Sequence, residues 1–308
     1  MRVLRHPSAR DAVVLAVGSF DGVHRGHQAI VERVRRDAAE LGVGSAVLTF
    51  EPLPREFFTP AKAPPRLTSL REKLECLAHC GLDIAYVERF DAAFSGLTAD
   101  DFEHVLRSRY GARRVVVGHD FRYGAQRGGD VERLRRAGER LGFSVDVLPP
   151  VDEDNSRISS TRIRDALASG DFDLAARLLG RRYAITGHVM HGDKRGRLLG
   201  FPTANVRLGR AKPALAGIYA VKCYGAATRG LEGVASLGTN PAVRKDGPAT
   251  LEAFLFDFSG DLYGARLSIE FVKKLRDEAH FASWEELAAQ IERDCDAARR
   301  IFAAAPSR

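Results

Sequence analysis

Short apolar runs alternate with amphipathic segments through the first half of the chain. The runs are AVVLAV (12–17), SAVLTF (45–50), DIAYV (83–87), RVVVG (114–118) and FSVDVLP (143–149). Such near-continuous apolar stretches are expected of strands buried on both faces. The segments between them have helical spacing. Residues 27–41 place Ile30, Val31, Val34 and Ala38 on one face, and residues 69–80 do the same with Leu70, Leu74 and Leu77. Residues 98–110 open with a Thr-Ala-Asp-Asp cap and carry Phe102, Val105 and Leu106 as their apolar stripe. Strands alternating with helices predict an α/β domain built on a parallel sheet, with ligands at the carboxyl ends of its strands.

The rhythm changes near residue 182, where we place a domain boundary, giving domains 1–182 and 183–308. Just before it, TRIRDALASGDFDLAARLLGR reads as two short helices broken at Ser169-Gly170. Beyond it, short strand candidates at 182–190, 217–225, 231–238, 250–258 and 265–275 are separated by Gly, Pro, Asn and Asp. This pattern predicts an antiparallel barrel or sandwich. The end of the chain reads as a long helix, with Ser283 as N-cap, Glu286 three residues on, and Leu287, Ile291, Cys295 and Ala298 along one face.

Composition narrows the function classes. The chain has 308 residues and a formal net charge of +7. Its basic residues are interspersed with acids, as in VERVRRDAAE, and form no block, so small anionic substrates are expected in preference to nucleic acid. No apolar stretch reaches the ~20 residues of a membrane span, and the first apolar run is too short for a secretory signal. The four cysteines, Cys76, Cys80, Cys223 and Cys295, read as small buried hydrophobes in a reducing compartment, which points to the cytoplasm.

Four stretches carry candidate chemistry. The first, GSFDGVHRGHQ, runs from Gly18 to Gln28 directly after the first strand candidate. A strand-to-helix loop there offers free helix N–H groups to phosphate, and its glycines allow close backbone approach. His24 and His27 can donate to phosphate oxygens and stabilise developing charge. The alternative is a metal site with Asp21 as third ligand. Neither G-x-x-x-x-G-K-[ST] nor G-x-G-x-x-G is present. The second, ISSTRIR (158–164), follows the fifth strand candidate; Ser159, Ser160 and Thr161 are good helix-start residues in any protein. In the third, GDKRGRLLGFPTANVRL from Gly192 to Leu208, Thr203 and Asn205 share a strand face. They suit Mg²⁺ held with substrate phosphates, or are simply a polar strand edge beside a basic hairpin containing Lys194, Arg195 and Arg197. The fourth is Glu252, a carboxylate in the otherwise apolar TLEAFLFDF. It is either a base facing a pocket or an edge carboxylate reaching solvent together with Phe254.

FDGVHRGHQ with ISSTRIR resembles the signature pair of the nucleotidylyltransferase superfamily. TFEPLPREFF (49–58), RLTSLREKLECL (66–77), FSGLTADDFEHVL (94–106), VGHDFRYGAQRGGD (117–130), GFPTAN, GIY (217–219), GTNP (238–241), LEAFLFDF and DLYG (261–264) extend the likeness over the whole chain. Together they resemble the bacterial bifunctional riboflavin kinase and FAD synthetase family. The resemblance implies a Rossmann-like adenylyltransferase domain followed by a β-barrel kinase domain with a terminal helix. Riboflavin would be phosphorylated to FMN by ATP, and FMN then adenylylated to FAD with release of pyrophosphate.

It also implies residue roles. Gly18, Phe20, Asp21, Gly22 and Gly26 would surround nucleotide phosphates beside His24 and His27. Ser159, Ser160, Thr161 and Arg164 would hold the triphosphate, and Gly118, Asp120, Phe121 and Arg122 would line the flavin or nucleotide pocket. In the second domain Gly192, Lys194, Gly200 and Pro202 would lie along ATP, and Thr203 and Asn205 would hold Mg²⁺. Glu252 would be the base for the ribityl hydroxyl, with Asn240 and Arg276 near the flavin. Leu53, Ala242 and Phe254 depart from the residues common in relatives.

Overall fold

The computed structural model describes residues 1–5, 11–192, 196, 199–210, 212–225, 228–238 and 249–304. Contacts divide the chain into two units: Met1–Pro64 with Leu70–Ser160, and Pro65–Ser69 with Thr161–Arg308.

The first unit contains strands β1 (Arg2–Leu4), β2 (Val13–Val17), β3 (Gly44–Glu51), β4 (Ile84–Arg89), β5 (Ala112–Gly118) and β6 (Ser144–Leu148). They form one parallel sheet in the order β1-β4-β3-β2-β5-β6. Helices α1 (Arg25–Leu41), α2 (Pro54–Phe58), α3 (Leu70–His79), α4 (Ala92–Ser95), α5 (Ala99–Ser108) and α6 (Val131–Leu141) lie between the strands in sequence. Alternation along β2 shows why the strands are apolar throughout. Val13 and Leu15 join a core with α5 residues on one face, while Val14 and Ala16 join a core with Val31, Val34 and Ala38 of α1 on the other. Strand order reverses at β2: β3 and β4 lie to one side, β5 and β6 to the other. The carboxyl ends of β2 and β5 therefore flank a topological switch point, the usual ligand crevice of an open α/β sheet. A small hairpin, β7 (Asp152–Glu153) with β8 (Ser156–Arg157), follows β6.

The second unit takes in α7 (Ser160–Ala168) from Thr161 onward, and α8 (Phe172–Leu179). Strands β9 (Ala184–Met190), β10 (Thr203–Val206), β11 (Gly217–Gly225), β12 (Thr228–Gly238), β13 (Thr250–Leu255) and β14 (Arg266–Arg276) close into an antiparallel barrel in the order β10-β13-β12-β11-β14-β9. The last helix, α9 (Trp284–Ala304), packs Cys295, Ala298 and Phe302 against Ile218, Ala220 and Val234 of the barrel wall. Segment Pro65–Ser69 belongs here by contact: the Arg66 N–H donates to Lys212 O at 3.2 Å, and Arg210 Nη1 donates to Leu67 O at 2.6 Å. All four cysteines are free thiols.

Candidate active site

In the first unit, the loop after β2 is tightly determined. Phe20 and Val23 take positive φ (49° and 42°) beside Gly22 (84°), so the chain reverses within a few residues. Phe20 is buried, its ring 5.2 Å from that of His27. His24 caps α1: its Nδ1 accepts the His27 N–H at 3.3 Å, and the two imidazoles stack with centroids 3.6 Å apart. Gln28 fastens the loop through Nε2 to Val23 O at 2.9 Å. At Gly26 a Cβ would stand 3.2 Å from the His24 ring, so glycine lets the cap close. Helix α1 therefore begins at Arg25, two residues before the start that apolar spacing predicts.

The second signature reaches this loop. Ser160 Oγ donates to Asp21 O at 2.9 Å, and buried Ile158 places its carbonyl beside Gly26. Ser159 immediately precedes α7, and Thr161 is that helix's second residue. Arg164, one turn on, donates from Nε to Pro65 O at 2.6 Å within the second unit. His27 Nδ1 is buried and has no hydrogen-bond partner among the described residues. Burial first, then His24, then Lys73 hold the His27 pKa well below its ordinary value. The ring is therefore a neutral imidazole at pH 7, with one N–H to donate.

Across the switch point, Gly118 ends β5. Asp120 Oδ2 accepts from Arg157 Nη1 of β8 at 2.8 Å, and that bond lowers the carboxyl's pKa. Phe121 stacks on Tyr123 with centroids 5.6 Å apart, and Arg122 pairs with Asp130 at 3.4 Å. On the other side of the same hairpin, Arg25 pairs with Glu153.

In the second unit, a cavity of about 1250 Å³ opens against the barrel, lined by residues of β10, β13, the segment after β14 and α9. Thr203 and Asn205 line it, and the alternate residues Ala204 and Val206 are buried. Register places Asn205 opposite Glu252 and Thr203 opposite Phe254. Thr203 Oγ1 donates to Glu252 Oε2 at 3.2 Å. Phe254 does share the face of Glu252, but that face lines the cavity. Gly192 comes so close to Asn205 that a Cβ there would lie 2.5 Å from its amide carbon. Arg276 lines the cavity with its guanidinium pinned to Asp294 of α9, Nε to Oδ1 at 3.0 Å and Nη2 to Oδ2 at 2.8 Å. Gly200 has φ 83° and stands two residues before Pro202. Lys194, Asn240 and Ala242 lie outside the described residues.

Family comparison bears on both halves. The FAD synthetase family matches residues 6–162, and the riboflavin kinase family matches residues 179–302. A bifunctional riboflavin kinase/FMN adenylyltransferase from Pseudomonas fluorescens is 47% identical over 295 residues, covering 96% of this chain and 94% of that protein. The chain belongs to the bifunctional riboflavin kinase/FMN adenylyltransferase family. The Escherichia coli member is 44% identical over 294 residues, covering 95% of this chain and 94% of its own length. A solved structure from Streptococcus pneumoniae, described as a macrolide-efflux protein, superposes with a TM-score of 0.80 at 28% identity, covering 97% of this chain and 99% of that one. Among the described residues no helix is long and apolar enough to cross a membrane.

Lys73 of α3 is 0% exposed, and its Nζ donates to Thr49 Oγ1 at 3.1 Å. The sequence does carry a signal for it. Lys73 stands three residues after Leu70 and four before Leu77, so it lies on the helix's apolar stripe. Leu53, the departure in this half, is buried at the start of α2 and donates its N–H to Glu56 at 2.9 Å.

Proposed function

We propose that the loop between β2 and α1 carries FMN adenylylation, that the barrel cavity carries riboflavin phosphorylation, and that these sites lie within residues 1–182 and 183–308. The chain is a bifunctional riboflavin kinase and FMN adenylyltransferase, so the proposal concerns which residues act and how. The observation that carries it is the register of β10 on β13, which sets Thr203, Asn205 and Glu252 on one cavity-facing surface.

In the kinase half, Glu252 accepts the proton of the ribityl 5′-hydroxyl as its oxygen attacks the γ-phosphate of ATP. The new O–P bond gives FMN, and ADP leaves. Thr203 Oγ1 and Asn205 Oδ1 are hard oxygen donors in one cleft, a pair that fits Mg²⁺ carried with ATP. The ion, when bound, would neutralise phosphate charge. Gly192, Gly200 and Pro202 shape the chain that approaches ATP. Phe254 supplies an apolar wall, and Arg276, held rigid by Asp294, would contact flavin with a fixed guanidinium.

In the adenylyltransferase half, an FMN phosphate oxygen attacks the α-phosphorus of a second ATP, and the bond to pyrophosphate breaks. The phosphate is already a nucleophile, so no covalent enzyme intermediate is needed. His27 and His24 donate to the oxygens that gain charge, and the N–H groups at the start of α1 add their dipoles. Gly18, Gly22 and Gly26 let the backbone approach. Ser159, Ser160, Thr161 and Arg164 would hold the triphosphate, and Gly118, Asp120, Phe121 and Arg122 the flavin. A cytoplasmic location fits the free thiols and ATP use.

The test uses Glu252→Gln. Conversion of riboflavin to FMN should fall by about 100-fold or more, while supplied FMN still becomes FAD at the wild-type rate. Phosphorylation of riboflavin at the wild-type rate would remove Glu252 from the chemistry.

A further inference from the structure

A buried ammonium costs several kcal/mol in desolvation, so a lysine on the apolar face of α3 calls for an account of its charge or its donors. Leu or Met would fill the same volume at no such cost. Lys73 Nζ donates to Thr49 Oγ1 at 3.1 Å, and the Thr49 hydroxyl donates in turn to Ser19 O at 3.2 Å. Thr49 is itself 0% exposed on β3. Ser19 directly precedes Phe20, where the chain enters its left-handed turn towards His24 and His27. The relay thus ties a buried cation to the backbone of the phosphate loop from the sheet side. Two groups act electrostatically on the His27 ring: His24, stacked on it from the same loop, and Lys73 from α3.

We propose that Lys73 is a positioning residue for adenylyl transfer, fixing the Ser19–Phe20 turn through Thr49 and so the placement of the two histidines against the reacting phosphates. The inference rests on the assignment of FMN adenylylation to this loop. Its chemical consequence is that His27 meets substrate as a neutral donor in one orientation. Without the Lys73 charge, His27 takes up a proton at higher pH and its donor pattern changes.

Three variants separate the ideas. Lys73→Met keeps length and burial but removes charge and donors. Thr49→Val keeps shape and the Lys73 charge but breaks the relay. His27→Ala tests the site itself. FAD formation from FMN and ATP is followed over about pH 5.5–8, a range that brackets an ordinary histidine. Riboflavin phosphorylation by the same chain reports the state of the other unit. With Lys73→Met, kcat for FAD formation should fall about 10–100-fold, kinase activity should hold, and the acid limb of the pH profile should move to higher pH. Thr49→Val should lose less rate and leave that limb where it is in the wild type. If His27→Ala still forms FAD, the assignment of the loop is what fails. If His27→Ala is inactive but Lys73→Met keeps its rate within about two-fold, the inference alone fails. A loss of rate with an unchanged pH profile would make Lys73 a structural prop and also overturns it. Should Lys73→Met fail to fold, a wild-type rate in Thr49→Val overturns the relay.

Discussion

At the scale of single residues, the proposed chemistry is divided between two side chains with different surroundings. Glu252 sits in a cavity and accepts a hydrogen bond from Thr203, so it is placed to take a proton from a bound hydroxyl. His27 is shielded, stacked and held neutral. FAD formation should therefore show no titration of His27 between about pH 6.5 and 8, as measured by the difference in the pH dependence of kcat between the wild type and His27→Gln. The same shift has a consequence for stability. The folded ring resists protonation, whereas in the unfolded chain it takes up a proton below about pH 6.5. The unfolded state then binds more protons as pH falls, so this contribution to stability is undiminished above that value and is lost below it. Denaturant titrations of the wild type and His27→Ala at two pH values check it: the acid loss should shrink in the variant.

At the scale of elements, caps and register decide what the motifs can do. His24→Ala removes the side-chain cap of α1 and should cost about 1 kcal/mol, beyond its effect on FAD formation. Asp294→Ala frees the guanidinium of Arg276 from α9; loss of this charge-assisted pair should cost about 1–3 kcal/mol and raise the KM for riboflavin. Denaturant midpoints and flavin kinetics measure both. These elements also show how far the sequence could be read. The four central strands, β2 to β5, were legible, because strands buried on both faces need continuous apolar residues. The short edge strand β1 was not, since three residues in a parallel edge pair carry no period. The common face of Thr203 and Asn205 follows from strand geometry alone. Their position opposite Glu252 does not, because register is set by pairing between segments far apart in sequence. The ring cap by His24 escaped for a similar reason: histidine is not among the usual capping residues, and only the fold shows its Nδ1 taking that role. Segment Pro65–Ser69 has no local mark of its place beside the barrel; its partners include Arg210 and Lys212, more than a hundred residues away.

At the scale of the whole molecule, the chain carries two units with separate cores and separate candidate chemistry. Trp284, the only tryptophan in the sequence, lines the barrel cavity and reports on that unit alone. Riboflavin should quench its emission equally in the wild type and in His27→Ala. The central claim is that each reaction has its own site, and a time course of flavins tests it most directly. Purified protein is incubated with riboflavin, ATP and Mg²⁺, and the flavins are separated at intervals for the wild type, His27→Ala and Glu252→Gln. The account predicts FMN followed by FAD in the wild type, FMN alone in His27→Ala, and neither product in Glu252→Gln until FMN is supplied, whereupon FAD forms. FAD formation by His27→Ala, or loss of both reactions in either folded variant, would contradict it.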